Sequence, residues 1–281
     1  MTAPAPAPSL ARRSVKHAAE LVDRVHHADR GIVILIYHRV GRRSAIEVDL
    51  PEPLFDEQMA ALRESGRACT LDAALDLLAR PEAPADVPPG RDPVVVTFDD
   101  GTHDLAEVAA PILARHGIPA LLYVATDFID SGRSFPDDGR PLSWAELRDL
   151  AAGGLWQLGS HTHTHALLDR LAGPQLAEEL DRSIDRIGAE TGAAPVHFAY
   201  PKALAGSLEA DRAVRRRFRS AALAGTRPNA YGETDPWRLA RSPVQVSDGM
   251  RWFSRKLDGG MGFEDGLRRA VNRRRYVGAT S

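Results

Sequence analysis

The stretch Val94–Gly101, V-V-V-T-F-D-D-G, decides the fold. Three β-branched valines favour a buried strand, and Thr97 and Phe98 continue it. Asp99 and Asp100 then stand side by side, and Gly101 lets the chain turn. An apolar strand that delivers two carboxylates to its own C-terminal end is costly unless a proton or a cation is shared there. In parallel α/β folds that end of a strand is where sites are built. A lone Asp-Gly turn after a strand is commonplace. The second acid, and what lies downstream, make this one a candidate site.

Working outward, the same grammar recurs. Upstream, Gly31–Val40 (G-I-V-I-L-I-Y-H-R-V) is an apolar strand with His38 at its end. Downstream, Pro119–Thr126 and Leu155–Ser160 read as strands, and the second runs straight into His161-Thr162-His163-Thr164-His165. Val196–Tyr200 is a strand that ends at Pro201-Lys202, and Ala221–Thr226 and Leu239–Val246 are further expected strands. Helical spacing separates them. It predicts helices over Leu10 to about Ala28, Pro51–Gly66, Thr70–Leu78 with Thr70 as N-cap, and Leu105–His116. Ser143 with Glu146 forms a capping box for another. The clearest helix starts at Gly173-Pro174, with Leu176, Leu180, Ile184 and Ile187 on one face. Leu208–Ala221, Met250–Leu257 and Phe263–Tyr276 follow, the last carrying Arg273-Arg274-Arg275 as a solvated, dipole-compatible end. Asp127–Leu142 is read as one polar loop, long enough to expect a functional or mobile role. Strand–helix alternation implies parallel pairing, and roughly six or seven such units suit a barrel. Residues 1–30 are expected to be an N-terminal extension, disordered in its Pro/Ala tract, and 31–281 a single domain.

Composition narrows the function. At 281 residues, 43% hydrophobic and 26% charged, the chain is an ordinary globular protein. A net charge of −2 gives no electrostatic case for nucleic acid. Cys69 is the only cysteine, so any metal must be held by histidine and carboxylate. No run approaches the ~20 apolar residues of a membrane span. The N-terminus has no uninterrupted apolar segment of a secretory signal, so the expected location is the cytoplasm.

Three strands thus place polar groups at their C-terminal ends: Asp99 and Asp100, His161 and His165, and Tyr200 to Lys202. In a parallel barrel these ends share one face. If the chain makes a helical turn after Ser160, His161 and His165 lie on one side, about 5–6 Å apart at Cβ. Two imidazoles and one carboxylate form a facial ligand set for one metal ion and leave positions open. The second aspartate is then free to act as a base.

Here the sequence resembles the polysaccharide deacetylase family, carbohydrate esterase family four, with its NodB-type homology domain. T-F-D-D-G at Thr97–Gly101 is similar to the family's first motif and H-T-H-T-H at His161–His165 to its second. The resemblance implies an α/β fold of the distorted (β/α)7 barrel type and a divalent metal ion, commonly zinc. It implies hydrolysis of N-acetyl or O-acetyl groups on a sugar, glycan or sugar-containing metabolite. Carried across, Asp99 matches the base, Asp100, His161 and His165 match the metal ligands, and Thr162 would hold the loop by hydrogen bonding. His163 falls on a free position, behind the ligands or exposed. The third motif departs from the family: Phe198-Ala199-Tyr200-Pro201 lacks its arginine. Arg241 is the candidate replacement, with Arg238 as rival, and the Lys202 backbone N–H falls at the oxyanion position. The closing Leu-x-His motif is missing, which leaves His38 as a candidate acid. Its Y-H-R-V setting, with F-A-Y-P, resembles an exopolysaccharide branch. Two other readings stand beside this one. His161-Thr162-His163 also fits a His-x-His strand end of an amidohydrolase-type hydrolase acting on a non-carbohydrate amide. With two motifs altered, the fold could instead bind a glycan without turnover.

Overall fold

The structure is a computed structural model and describes residues 10–23 and 30–262. The expected Pro/Ala tract at 1–9, the last turn of the first helix, the helix over 263–276 and the arginine run lie outside the described residues.

In chain order the elements are α1 (Leu10–Asp23), β1 (Gly31–Tyr37), β2 (Arg39–Val40), β3 (Asp49–Leu50), α2 (Glu52–Ser65), α3 (Leu71–Leu78) and β4 (Val94–Phe98). There follow α4 (Ala110–His116), β5 (Ala120–Val124), α5 (Thr126–Ser131), α6 (Trp144–Ala152), β6 (Trp156–Ser160) and α7 (Gly173–Thr191). The chain continues with β7 (His197–Ala199), α8 (Leu208–Arg217), β8 (Ser220–Ala222), β9 (Asn229–Ala230), β10 (Ser242–Pro243) and α9 (Gly249–Leu257). Among the described residues no helix is long and apolar enough to cross a membrane.

Seven strands pair in parallel in the order β10-β1-β4-β5-β6-β7-β8. The far edges then meet. Leu239 N–H donates to Ala221 O, and Leu223 and Gly225 N–H donate to Leu239 O and Arg241 O. On its other side the same segment receives β1, where Val244 N–H donates to Ile36 O at 2.9 Å. Residues 239–244 are therefore the stave that closes a distorted seven-stranded α/β barrel.

Alternation along the strands sorts the core. Val94, Val96 and Phe98 pack outward with Leu35, Tyr37, Phe55, Met59 and Leu113 beneath the helices. Val95 packs inward with Ile32, Ile34, Leu121, Tyr123 and Ala222. Two residues further on from Val95, Thr97 faces the same interior, and two further Asp99 reaches the mouth. α3 covers the opposite end with Leu71, Ala74, Leu75 and Leu78, its N-terminus capped by Thr70 as the sequence implies.

Several boundaries differ from the sequence reading. The polar loop opens as helix α5, because Phe128 and Ile129 find an apolar seat. The Leu208–Ala221 helix stops at Arg217, since Phe218 turns extended to fill the core beneath α7 and α8. Only Ser242–Pro243 of Leu239–Val246 forms a regular ladder. The helix after Asp104 begins with a wide π turn over Leu105–Ala109, next to Pro111, which has no N–H to donate.

Candidate metal centre and active site

β4 ends at the barrel mouth, and the chain leaves it through two left-handed residues, Asp100 at φ +76° and Gly101 at φ +102°. That reversal points the two adjacent carboxylates to different tasks. Asp99 is buried and turns inward. Asp100 stays partly open and faces the histidines.

Arg241 reaches Asp99 from the closing stave. Its Nη1 donates to Asp99 Oδ1 at 2.6 Å and its Nη2 to Asp99 Oδ2 at 2.9 Å, a fork-to-fork pair. Nη1 also donates to Thr97 Oγ1 at 3.1 Å, and Nε to Leu223 O at 3.3 Å. The guanidinium is fully buried and lies over the Tyr123 ring, 4.9 Å from its centroid. Burial alone would push the Asp99 pKa up, but the Arg241 guanidinium, through its charge and its paired hydrogen bonds, outweighs it and holds the carboxyl well below the usual range. Asp99 is therefore ionised and aimed. The rival, Arg238, is on the surface with Asp211 and Asp235.

His161 and His165 approach Asp100 without a helical turn. The chain after β6 is irregular, with Thr162 at φ +66° and His165 at φ +63°. His161 Nδ1 lies 2.8 Å from Ala199 O. A carbonyl only accepts, so Nδ1 carries the proton and the Nε2 lone pair faces Asp100. Asp100 Oδ1 is 3.8 Å from His161 Nε2 and 3.5 Å from His165 Nε2. The three groups offer ligand atoms within 4.8 Å of one another. A tetrahedral ion with bonds of about 2.0–2.2 Å needs ligand–ligand edges of about 3.3–3.6 Å. The donor types suit one divalent cation; the Asp100–His165 edge of 3.5 Å is already of that length, and the Asp100–His161 edge of 3.8 Å is slightly longer. Burial lowers the pKa of both histidines, and with His161 nearby His165 is pushed down to about 4, so both rings are neutral and able to ligate at neutral pH.

Two sequence expectations about this loop need correction. Thr162 does not hold it through its side chain: Thr162 Oγ1 is buried with no hydrogen-bond partner. The left-handed backbone turns that hydroxyl away, and Thr164 binds Glu179 instead. Nor does the loop form a His-x-His pair on the cation, because His163 turns back to Thr126 Oγ1 at 2.8 Å.

A cleft of about 410 Å³ opens above Asp99, Asp100, His161 and His165. Its walls include His38, Arg39, Phe135, Asp137, Lys202 and Gln245. His38 Nδ1 is buried there without a partner. Lys202 and Ala203 are both left-handed, at φ +55° and +56°. Phe135–Gly139 forms a tight turn whose Asp137 O accepts from Arg39 Nη1 at 2.9 Å. This turn is the part of the polar loop that meets the cleft, where the unusual loop length was the sequence signal. Tyr123, which supports Arg241, had no such signal. A larger cavity, about 530 Å³, lies at the other end of the strands beside Trp156, Gln157 and His197, away from all of these groups.

Known proteins resemble this chain in sequence and in fold. The family model described as polysaccharide deacetylase matches residues 86–221. The Bacillus subtilis (strain 168) protein YxkH, whose name places it among the polysaccharide deacetylases, is 24% identical over 147 residues. That match covers 52% of this chain and 48% of YxkH, so the chain spans about half the length of that relative. The structure of IcaB from Ammonifex degensii is 26% identical, with a TM-score of 0.70 over 83% of this chain and 100% of that one. The fold is also that of the Streptococcus pyogenes deacetylase PplD, solved in complex with acetate, at 20% identity and a TM-score of 0.67 over 82% and 99% of the two chains.

Proposed function

From its place in the polysaccharide deacetylase family, which rests on residues 86–221, we propose that this chain is a metal-dependent deacetylase that hydrolyses N-acetyl groups, or O-acetyl groups, on a sugar or glycan. One observation carries the reading: an ionised, arginine-held aspartate shares one cleft with Asp100 and two neutral imidazoles. Asp100, His161 and His165 would hold the cation. When bound, it supplies Lewis acidity, lowering the pKa of a water and polarising the acetyl carbonyl.

The remaining chemistry falls to the chain. Asp99 accepts the proton of the attacking water, and Arg241 keeps it charged and oriented at that moment. The Lys202 backbone N–H, turned by its left-handed conformation, donates to the oxyanion, an effect typically worth ~3–4 kcal/mol per donor. His38, unpartnered at Nδ1 on the cleft wall, delivers a proton to the departing nitrogen. The amide C–N bond breaks, and the products are acetate and an amine. Acetate release from a panel of N-acetylated glycosides, with metal content measured on the same sample, tests this. Bound metal with no acetate from any substrate would favour a glycan-binding protein without turnover.

A further inference from the structure

His161 is fixed by its own ring, through the bond to Ala199 O. His165 has no comparable side-chain hydrogen bond among the described residues, so its ring goes where the backbone puts it. That backbone is unfavourable. Thr162 is β-branched yet left-handed, and His165 is left-handed as well. Something must impose the conformation.

The apolar face of α7 carries two polar residues one turn apart. Glu179 and Ser183 are buried among Leu176, Leu180 and Ile187. Glu179 Oε1 accepts from Thr164 N–H at 2.5 Å, and the Thr164 hydroxyl donates to both carboxylate oxygens at 3.1 Å. The Glu179 main-chain carbonyl accepts from His163 N–H at 3.2 Å. Ser183 Oγ meets Ser160 Oγ at 2.6 Å, and Ser160 Oγ accepts from Thr162 N–H at 3.2 Å. On the far side Asp127 N–H donates to His163 O at 2.8 Å. A carboxylate on a core-facing helical position is costly unless its oxygens are satisfied, and here the loop satisfies them.

We propose that Glu179 is the positioning residue of this loop: by gripping Thr164 it imposes the left-handed path that sets His165 Nε2 against Asp100. The proposal rests on Asp100, His161 and His165 being the metal ligands. It predicts an effect on metal affinity larger than any effect on the fold, because the metal-free barrel does not need His165 in place.

The test is Zn²⁺ titration of the full chain against a competing chelator, with thermal unfolding of the metal-free protein in parallel. Glu179→Ala should weaken Zn²⁺ binding by ~10-fold or more, the usual scale for support behind a ligand, while the metal-free melting temperature changes little. Glu179→Gln, which keeps an acceptor for Thr164 N–H, should recover most of the affinity. Should Glu179→Ala fail to fold, Thr164→Val removes only the hydroxyl bonds and should still weaken binding measurably. Wild-type affinity in Glu179→Ala or in Thr164→Val would overturn the proposal. So would equal losses in the Ala and Gln variants that track lost stability. A wild-type chain that binds no Zn²⁺ would overturn the ligand assignment and this proposal together, whereas wild-type binding without acetate release leaves the clamp intact and counts only against turnover.

Discussion

Arg241→Met should expose how much the barrel invests in one ion pair. The guanidinium is fully buried and meets Asp99 through two bonds of 2.6 and 2.9 Å. Two unit charges about 4 Å apart at an effective dielectric of about 20 attract by about 4 kcal/mol. Removing one partner of a buried pair typically costs about 3–5 kcal/mol, because the other charge is left uncompensated. At about 2 °C per kcal/mol for a chain this long, the melting temperature should fall by about 8 °C. The assay is denaturant and thermal unfolding of chelator-treated protein, so that no cation compensates Asp99. The double variant Asp99→Asn with Arg241→Met should recover much of the loss, giving a coupling of at least ~2 kcal/mol in the cycle. If Arg241→Met lies within ~1 kcal/mol of the parent, as an exposed pair would, and the two changes simply add, the pair is not what holds Asp99.

Three further outcomes follow from the same geometry. Asp99→Asn should keep its metal and lose turnover by ~10² or more; wild-type rates would end its role as base. His165→Ala should lower metal occupancy to near background with the barrel folded, and a full equivalent of bound metal would sink the assignment. Asp248 is buried between Lys16 and Lys256. Burial raises its pKa, but Lys256 and Lys16 outweigh that and hold it low. A carboxyl depressed in the folded state contributes stability that is complete above its unfolded pKa, ~3.9, and is lost as pH falls through the folded value. Asp248→Asn should therefore flatten the acid limb of stability below about pH 4, seen as denaturation midpoints against pH; an unchanged limb would refute it.

Much of the site was legible along the chain because its signals are local. The period-two alternation of Val94–Phe98 already places Val95, Thr97 and Asp99 on one face. Paired acids and paired histidines at strand ends are chemistry that an apolar interior tolerates only with a partner. The Ser143 capping box and the Thr70 cap each span only four residues and appear as expected. Thr162 was misread for the opposite reason. The resemblance implies a bonding hydroxyl, and only the fold shows that Thr162 Oγ1 is buried without a hydrogen-bond partner while Thr164 bonds Glu179.

The sequence by itself determined the strand that carries Asp99 and Asp100 and, with a single cysteine, that the ligands are histidine and carboxylate. Tertiary structure decided what stands opposite, including which of the two candidate arginines, Arg241 and Arg238, meets Asp99. Arg241 lies 142 positions from Asp99, Glu179 sits on a helix face that reads as apolar, and Tyr123 is one aromatic among the buried strands. Each is brought to the site by closure of the barrel through residues 239–244 or by the packing of α7 on β6. Periodicity records which face of an element is buried; it holds no record of which buried faces meet. That is set by the ring of strands as a whole.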